Sequence, residues 1–177
     1  PVLVDELIPG ILSIGDVQKV LQKLLREKVS IRNLPVILEA LADHAVYTKD
    51  PEVLTEYVRQ AMSRQITLQF TEPGQPLRVL TAGAGLEKAI SERIQQSEQG
   101  SYLAMDPDTT QRIYQVMANE VSKMVNSGQQ PIILSSPAIR MYLRQLLDRM
   151  MPDVPVLSYS ELEPHVEVQS VGMVNIS

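Results

Sequence analysis

Two adjacent serines, Ser135 and Ser136, stand between the apolar run PIIL and a segment of helical spacing that carries arginines. A serine in a turn between a strand and a helix could act as a nucleophile or hold a phosphate. A hydrolase elbow needs small residues beside its serine, because the turn is crowded, but the neighbours here are Leu134 and Pro137. Serine followed by proline is instead a common helix start, with Ser136 as the N-cap. We therefore predict a helix start here and no active site.

The segment TAGAGLEK, residues 81–88, follows a predicted strand and opens a predicted helix, which is the position of a dinucleotide-binding loop. It supplies Gly83 and Gly85, but Lys88 stands where the third glycine would be. No acidic residue ends a second strand at the expected distance. The segment therefore predicts a flexible turn. A small α/β enzyme or ligand-binding domain that uses the strand ends near Gly83 and Ser135 is kept as an alternative.

Residues for metal binding and acid–base catalysis are few and scattered. The two histidines, His44 and His165, lie in different halves of the chain without partners at ligand spacing. We expect His44 to interact with the last carbonyls of its helix. The chain has no cysteine, and no pair of carboxylates is marked out by its spacing; Glu161 and Glu163 are predicted to be solvated. The sequence thus predicts no catalytic residue, no cofactor and no metal.

The composition limits the kinds of partner. With 16 basic and 21 acidic side chains among 177 residues, the net charge of −5 argues against nucleic acid or an anionic membrane surface. The longest apolar runs, such as LPVIL, are only a few residues, whereas a membrane-spanning helix needs about 20. The chain starts at Pro1 with residues typical of the middle of a domain, so we expect it to be a piece of a longer protein.

The first 75 residues predict three amphipathic helices with short connections, which form a small helical module. Ser13, Asn33 and Asp50 are suitable N-caps for the three helix starts. The apolar residues predicted to face inward recur at helical spacing. They are Ile14, Val17, Val20, Leu21, Leu24 and Leu25 in the first helix, Leu34, Ile37, Leu38, Leu41 and Ala45 in the second, and Leu54, Tyr57, Val58, Ala61 and Met62 in the third.

The segment TEPGQP, residues 71–76, combines two prolines with a glycine and predicts a domain boundary. Beyond it, strands alternate with helices, which indicates a mainly parallel sheet covered by helices. One predicted helix extends over GLEKAISERIQQS, residues 85–97, and the last strand is expected to lie antiparallel at an edge. The predicted fold is therefore an α+β or α/β chain, with a three-helix module over residues 1–75 and a small α/β module over residues 76–177.

Seven stretches carry a resemblance to a known family: LVDELIP, VQKVLQKLLREKVSIRNLPVILEALADHA, KDPEVLTEYVRQAMSRQI, LAMDP, ILSSPAIR, PVLSYSELEP and VQSVGMV. In this order, over nearly the whole chain, they resemble the C-terminal part of the cytoplasmic domain of the flagellar type III export gate protein, the FlhA family. The family usually has an aspartate where Asn33 stands, and both residues are good caps. The stretch TAGAGLEKAISE is a looser match.

The resemblance implies a fold and a role. Residues 1–75 would be the third cytoplasmic subdomain and residues 76–177 the fourth, in a protein anchored in the bacterial inner membrane by an N-terminal region absent here. The cytoplasmic domains would form a nine-membered ring that helps to present export chaperones and their cargo to the gate. Its partners would be other copies of itself, these chaperones and cargo, and components of the export ATPase complex. An export gate of a virulence system is the alternative.

The resemblance implies subunit contacts within the helical module, where charged residues bracket the helices. We take Arg26, Glu27, Arg32, Asp43 and Lys49 as candidates for these partner contacts. The alternative for each residue is a solvated helix face, because exposed ion pairs contribute little to stability.

Overall fold

The computed structural model describes residues 2–177 and divides the chain into two compact units. The first unit comprises the residues up to Phe70 together with Glu161–Glu163, and the second comprises Thr71–Ser160 and Pro164–Ser177. The prediction of a helical first part followed by a mainly parallel α/β part is confirmed.

The described residues of the first unit form five α-helices, two more than the three predicted. Their bounds are α1 Val2–Leu7, α2 Ile14–Arg26, α3 Leu34–His44, α4 Pro51–Ala61 and α5 Ser63–Phe70. The two added helices, α1 and α5, are too short for their spacing to distinguish a helix from a loop. At the start of α2, Ser13 and Asp16 form a capping box, and the Asp50 carboxylate caps α4 by accepting from the Glu52 N–H at 3.0 Å.

The predicted inward stripes are only partly correct. Val17, Val20 and Leu24 are buried in α2, but Ile14 is 64% exposed and Leu25 is 52% exposed. These two residues share the apolar character of the stripe but lie at its margin, where no neighbouring helix covers them. The same holds for other residues that were predicted to face inward. Leu34, Tyr57 and Ala61 are exposed, and Leu21 and Leu38 are half-buried.

The described residues of the second unit form two sheets and three α-helices. In chain order these are β1 Leu77–Ala82, α6 Ala84–Ser91, β2 Ile94–Ser97, β3 Gly100–Leu103, α7 Pro107–Asn126, β4 Ile133–Ser135, α8 Arg140–Leu147, β5 Val156–Ser158 and β6 Val168–Val174. A 3₁₀ turn, Tyr159–Glu161, follows β5. The main sheet has the order β5-β4-β1-β6, with every neighbouring pair parallel.

The last strand was predicted to be antiparallel, and this is wrong. β6 lies at the edge as predicted, but it runs parallel to β1, with Leu77 opposite Val168 and Ala82 opposite Val174. Alternation of polar and apolar residues indicates that one face of a strand is exposed. The same alternation occurs in parallel and antiparallel strands, so it does not predict the strand direction. The register shifts between Val79 and Leu80, a bulge at this edge.

The helix predicted over residues 85–97 is also partly wrong, because α6 ends at Ser91. The residues from Ile94 onward form a hairpin in which β2 pairs antiparallel with β3. The hairpin turn is fixed by Gly100, whose φ of +115° suits glycine, and by Ser97, whose Oγ donates to the Gly100 carbonyl at 2.8 Å. These turn contacts override the helical spacing of the preceding segment.

The hydrophobic core of the second unit lies between the main sheet and its helices. Leu80 of β1 packs in one cluster with Leu86, Ile113, Met117 and Leu143 from α6, α7 and α8. The carboxyl ends of β1 and β4 are thereby held beside the starts of α6 and the turn before α8, which is where the sequence placed its candidate chemistry.

Candidate interaction surface

The turn after β4 does not form the helix start that was predicted. The α8 helix begins at Arg140, and Ser136 instead donates both its N–H and its Oγ–H to the Glu87 carboxylate, at 2.9 and 2.5 Å. Because α8 begins four residues later, Ser136 is not its N-cap. Ser135 is fully buried, and its Oγ donates to the Ser136 carbonyl at 3.0 Å. The N–H and hydroxyl of Ser136, which a phosphate could have used, are thus already bound to a carboxylate of the chain itself.

The glycines of the turn after β1 are explained by the C-terminal residues that pack onto them. A Cβ on Gly83 would lie 2.4 Å from the Asn175 side chain, and one on Gly85 would lie 1.8 Å from the Ile176 carbonyl oxygen. The Asn175 Oδ1 accepts the Leu86 N–H at 3.0 Å, so it takes the place of a cap at the start of α6. The close approach that these glycines allow is therefore to the chain itself.

The two arginines of α8, Arg140 and Arg144, bind backbone carbonyls of the loop that leads into β5. Arg140 donates to the Val156 carbonyl at 2.7 Å, and Arg144 donates to the carbonyls of Met151 and Val154. Both guanidinium groups are buried, which is acceptable because their N–H groups are paired in this way. They position a loop and are not directed at a ligand.

The remaining candidates for chemistry are separated from one another. The ring of His44 stacks on that of Tyr57, with 3.9 Å between centroids and 4° between planes. His165 lines a shallow groove of about 270 Å³ formed by residues 71–75 and 165–167, away from Gly83 and Ser135. Over residues 2–177, no group of three or more His, Cys, Asp or Glu side chains could hold a metal ion.

One ion pair of the first unit is deeply buried. The Arg59 guanidinium donates twice to the Glu161 carboxylate, at 2.5 and 3.0 Å, and these side chains are 2% and 1% exposed. Glu27 adds a carboxylate 3.6 Å from the Arg59 Nη1. The Thr67 Oγ1 accepts the Glu163 N–H at 3.0 Å, which holds the same short segment. Glu161 was predicted to be solvated, and this is wrong, because its carboxylate is buried and bound by the Arg59 guanidinium.

The five candidate contact residues differ in their surroundings. Glu27 is half-buried beside Arg59, whereas Arg26, Arg32, Asp43 and Lys49 are exposed. The Lys49 ammonium donates to the Ala45 carbonyl at 3.1 Å. The other three exposed side chains form no hydrogen bond or ion pair with any residue that the structure describes. They are charges without a partner inside the described chain.

These candidates fall into two groups, one at each end of α3. We name residues 25–34 the basic connection, because three basic and one acidic side chain give it a formal charge of +2. We name residues 43–52 the acidic connection, because three acidic and one basic side chain give it −2. The α3 helix of 11 residues separates them by about 16 Å.

Each connection also exposes apolar side chains that the sequence patterns did not reveal. In the acidic connection, Val46 is 61% exposed and Tyr47 is 86% exposed. The basic connection exposes Leu25 and Leu34, at 52% and 43%. The exposure of Tyr47 could have been predicted from its position in a short connection between two helices, because a residue there does not belong to the buried face of either helix.

The FHIPEP family matches residues 1–167 of this chain. The chain is similar to the flagellar biosynthesis protein FlhA of Bacillus subtilis (strain 168), with 52% identity over 176 residues. That alignment covers 99% of this chain and 26% of the relative, so the chain spans about a quarter of the relative's length.

Two solved structures of similar fold are of assemblies. The nonameric EscV cytosolic domain from the type III secretion system matches with a TM-score of 0.81 and 34% identity, over 98% of this chain and 51% of that one. The complex of the Chlamydia pneumoniae CdsV and CdsO proteins matches with a TM-score of 0.83 and 31% identity, again over 98% of this chain and 51% of the matched chain.

Proposed function

The chain belongs to the FHIPEP family, and from this premise we propose that it is the ring-forming cytoplasmic part of a flagellar type III protein export gate. The resemblance to the FlhA family carried by the sequence is confirmed. The family is one of secretion export gate proteins and not of enzymes. The observation that carries the proposal is the 52% identity to a flagellar biosynthesis protein, which extends over 99% of this chain.

We assign residues 1–75 to the third cytoplasmic subdomain of that gate and residues 76–177 to the fourth. The change from helices to alternating strands and helices after TEPGQP supports this assignment. The intact protein would be held at the cytoplasmic side of the inner membrane by a region outside this chain. Over the part of the chain that the structure describes, no helix is long and apolar enough to cross a membrane.

The proposed partners are other copies of the protein, export chaperones with their cargo, and a component of the export ATPase complex. The nonameric EscV cytosolic domain supports self-assembly into a ring of nine. The CdsV–CdsO complex supports a further protein partner for the cytoplasmic region to which this chain corresponds. Chaperones and cargo would bind mainly to the two subdomains outside this chain.

Four of the five candidate contact residues are exposed in a way that suits subunit contacts. The side chains of Arg26, Arg32 and Asp43 have no hydrogen bond or ion pair among residues 2–177, and Lys49 is also exposed. Glu27 would not contact a neighbouring subunit directly, because its carboxylate already lies beside the Arg59 guanidinium. An exposed charge without an internal partner can pair with a neighbouring subunit without breaking any hydrogen bond or ion pair of its own chain.

The function is tested by deleting the gene in its flagellated host and restoring it with single charge reversals. We expect deletion to abolish swimming motility and secretion of flagellar proteins. We expect Arg32→Glu and Asp43→Lys, each in the full-length protein, to reduce ring assembly and motility. Motility that survives deletion would contradict the flagellar role. If secretion of virulence proteins were lost instead, the alternative export gate would be favoured. If a single reversal left ring assembly and motility unchanged, that residue would not be a contact.

A further inference from the structure

We propose that the outer edge of β6 is a docking site for an extended peptide segment, which would add to the main sheet as a fifth strand. The segment would have apolar side chains on one face and a carboxylate on the other. A chain can add a strand in this way only where its own backbone groups are unpaired, so the occupant is export cargo in an unfolded state. The inference rests on the proposed function and names the part of the cargo that the second unit would bind.

The two edges of the main sheet differ in how the chain covers them. At one edge, the three residues of β5 are all buried, and the Arg140 guanidinium binds the Val156 carbonyl. At the other edge lies β6, a strand of seven residues, and no strand within residues 2–177 pairs with its outer side. Beyond the pairing with β1, no side chain or loop of these residues hydrogen-bonds to the backbone of Val168 or Met173. The edge of β6 is therefore open to another strand.

This open edge lacks most of the features that keep an exposed strand from pairing with other chains. Proteins protect such edges with lysine, proline, very short strands, bulges or a covering loop. Residues 168–177 contain no charged residue and no proline. An unprotected edge of this length favours addition of a strand from another chain.

The bulge in β6 does not close the edge. Val171 has no opposite residue in β1, because the register moves there from Ser170 to Gly172, and pairing with β1 continues after it. The Ser170 hydroxyl donates to the Gly172 carbonyl at 3.0 Å and lies 3.0 Å from the Thr81 hydroxyl. The backbone beside the bulge is thus held by groups of the chain itself. A strand that is already ordered loses little entropy when a partner binds.

Exposed apolar side chains lie on one face of this edge. Val168 pairs with Leu77 and Met173 pairs with Thr81, and these two residues of β1 are four positions apart and so share a face. On that face Val168 is 37% exposed and Met173 is 54% exposed. Apolar side chains at alternate positions of an added strand would lie beside them and remove this surface from water.

The other face of the same strand pair carries a positive charge. Arg78 of β1 pairs in register with Gln169, and its side chain is exposed. It has no hydrogen bond or ion pair within the residues that the structure describes. An added strand would lie two strand spacings from β1, about 9.5 Å, so the long Arg78 side chain and a glutamate on that strand could meet across Gln169. This charge favours a docking segment with a carboxylate on the face opposite its apolar residues.

Binding is tested with a fluorescein-labelled peptide, Thr-Val-Glu-Val-Thr-Val-Ser, which has its valines on one face and its glutamate on the other. Fluorescence anisotropy measures its binding to the full-length protein in detergent. We expect Met173→Lys to weaken binding by about tenfold, because a charge would be buried against the valines. The matched control is Tyr159→Lys, since Tyr159 is also 54% exposed but lies outside β6, and we expect a change of less than about twofold. An unaltered protein that does not bind the peptide would overturn the proposal.

Two further experiments test the backbone pairing and the charge. Peptides are N-methylated either on the valines or on the other alternate residues, and we expect only one of these two sets to abolish binding, because alternate N–H groups of a strand point to opposite sides. Binding that survived both sets would rule out addition as a strand. We expect Arg78→Glu to weaken binding by about two- to fivefold, and a peptide with lysine in place of glutamate to restore it. Equal binding of both peptides to Arg78→Glu would contradict the role given to this charge.

The same substitution in the flagellated host separates this inference from the function on which it rests. We expect full-length protein with Met173→Lys to assemble its ring but to secrete less flagellar protein than the Tyr159→Lys control. If the peptide does not bind while assembly and export proceed, the inference is wrong and the proposed function stands. If Met173→Lys changes the oligomeric state, the edge is a contact between copies and the inference is wrong. If gene deletion leaves motility intact, the proposed function is contradicted, whatever the peptide shows.

Discussion

The polar groups of the two units are used differently. In the second unit, the groups at the strand ends bind each other: Glu87 holds Ser136, and Asn175 holds the start of α6. In the first unit, three charged side chains around α3, those of Arg26, Arg32 and Asp43, have no hydrogen bond or ion pair within the described residues. A polar group paired inside the chain contributes to stability, whereas one left at the surface is available to another protein. We therefore expect the surface that binds other proteins to lie where charged side chains have no hydrogen bond or ion pair within the chain.

The buried ion pair of Arg59 with Glu161 is an exception in the first unit, because both charges are paired inside the chain. Breaking this pair should have the largest effect of the substitutions considered. Removing Arg59 with Arg59→Ala leaves the Glu161 and Glu27 carboxylates without their cation in a buried site. We expect a loss of about 3–5 kcal/mol in the free energy of unfolding. Urea unfolding of the full cytoplasmic region measures it.

The control for this prediction replaces both charged partners by apolar residues of similar volume. In the Arg59→Met, Glu161→Leu double variant both fully buried charges are removed, and only the half-buried Glu27 loses its neighbour, so we expect a much smaller change, of about 1 kcal/mol or less in either direction. A double variant as unstable as Arg59→Ala would mean that shape, rather than charge, determines this contact.

The next largest loss of stability is expected in the turn after β1, where Asn175 and Ile176 pack against the glycines. In Gly85→Ala the new Cβ would meet the Ile176 carbonyl oxygen at 1.8 Å, so backbone must move. We expect a loss of about 1–3 kcal/mol. Gly15→Ala is the matched control, because its nearest neighbour is the Ser13 Oγ at 3.7 Å and it lies in α2, where alanine is favoured by about 1 kcal/mol over glycine. Equal losses from the two variants would contradict our account of Gly85.

Local sequence signals predicted the parts of this structure that depend on neighbouring residues. The caps at Ser13 and Asp50 and the strand β1 follow from residues a few positions apart. The pairs that occupy the strand ends could not be predicted in this way. Leu86 and Asn175 are 89 residues apart, and Glu87 and Ser136 are 49 apart. No periodic pattern links such partners, because only the folded chain brings them together.

The candidate site was predictable to a similar degree. Charge alone selected Arg32 and Asp43, which are exposed and lack partners within residues 2–177. It also selected Glu27, whose neighbour Arg59 became visible only in the fold. Tyr47 was missed, because apolar character in a sequence predicts burial on average and does not identify the exposed exceptions.

A substitution that stabilises the helix but weakens assembly would sharpen the comparison further. Asp43→Asn removes a negative charge from the last turn of α3, so we expect the free energy of unfolding to rise by about 0.3–1 kcal/mol. Ring assembly should decrease in the same variant, since Asp43 is one of the proposed subunit contacts. Thermal unfolding and mass photometry of one preparation measure both. A variant that assembles normally would show that Asp43 is an ordinary surface residue.

The smallest expected effect concerns Asp106, whose carboxylate, unlike that of Asp43, is hydrogen-bonded within the chain. Hydrogen bonds from the Thr109 N–H and hydroxyl lower the pKa of Asp106 from 3.8 to about 2. Because the pKa is lower in the folded state, the stabilisation is complete above about pH 4 and is lost as the pH falls towards 2. We expect Asp106→Asn to show a shallower loss of stability over this range than the unaltered chain, measured by urea unfolding at several pH values.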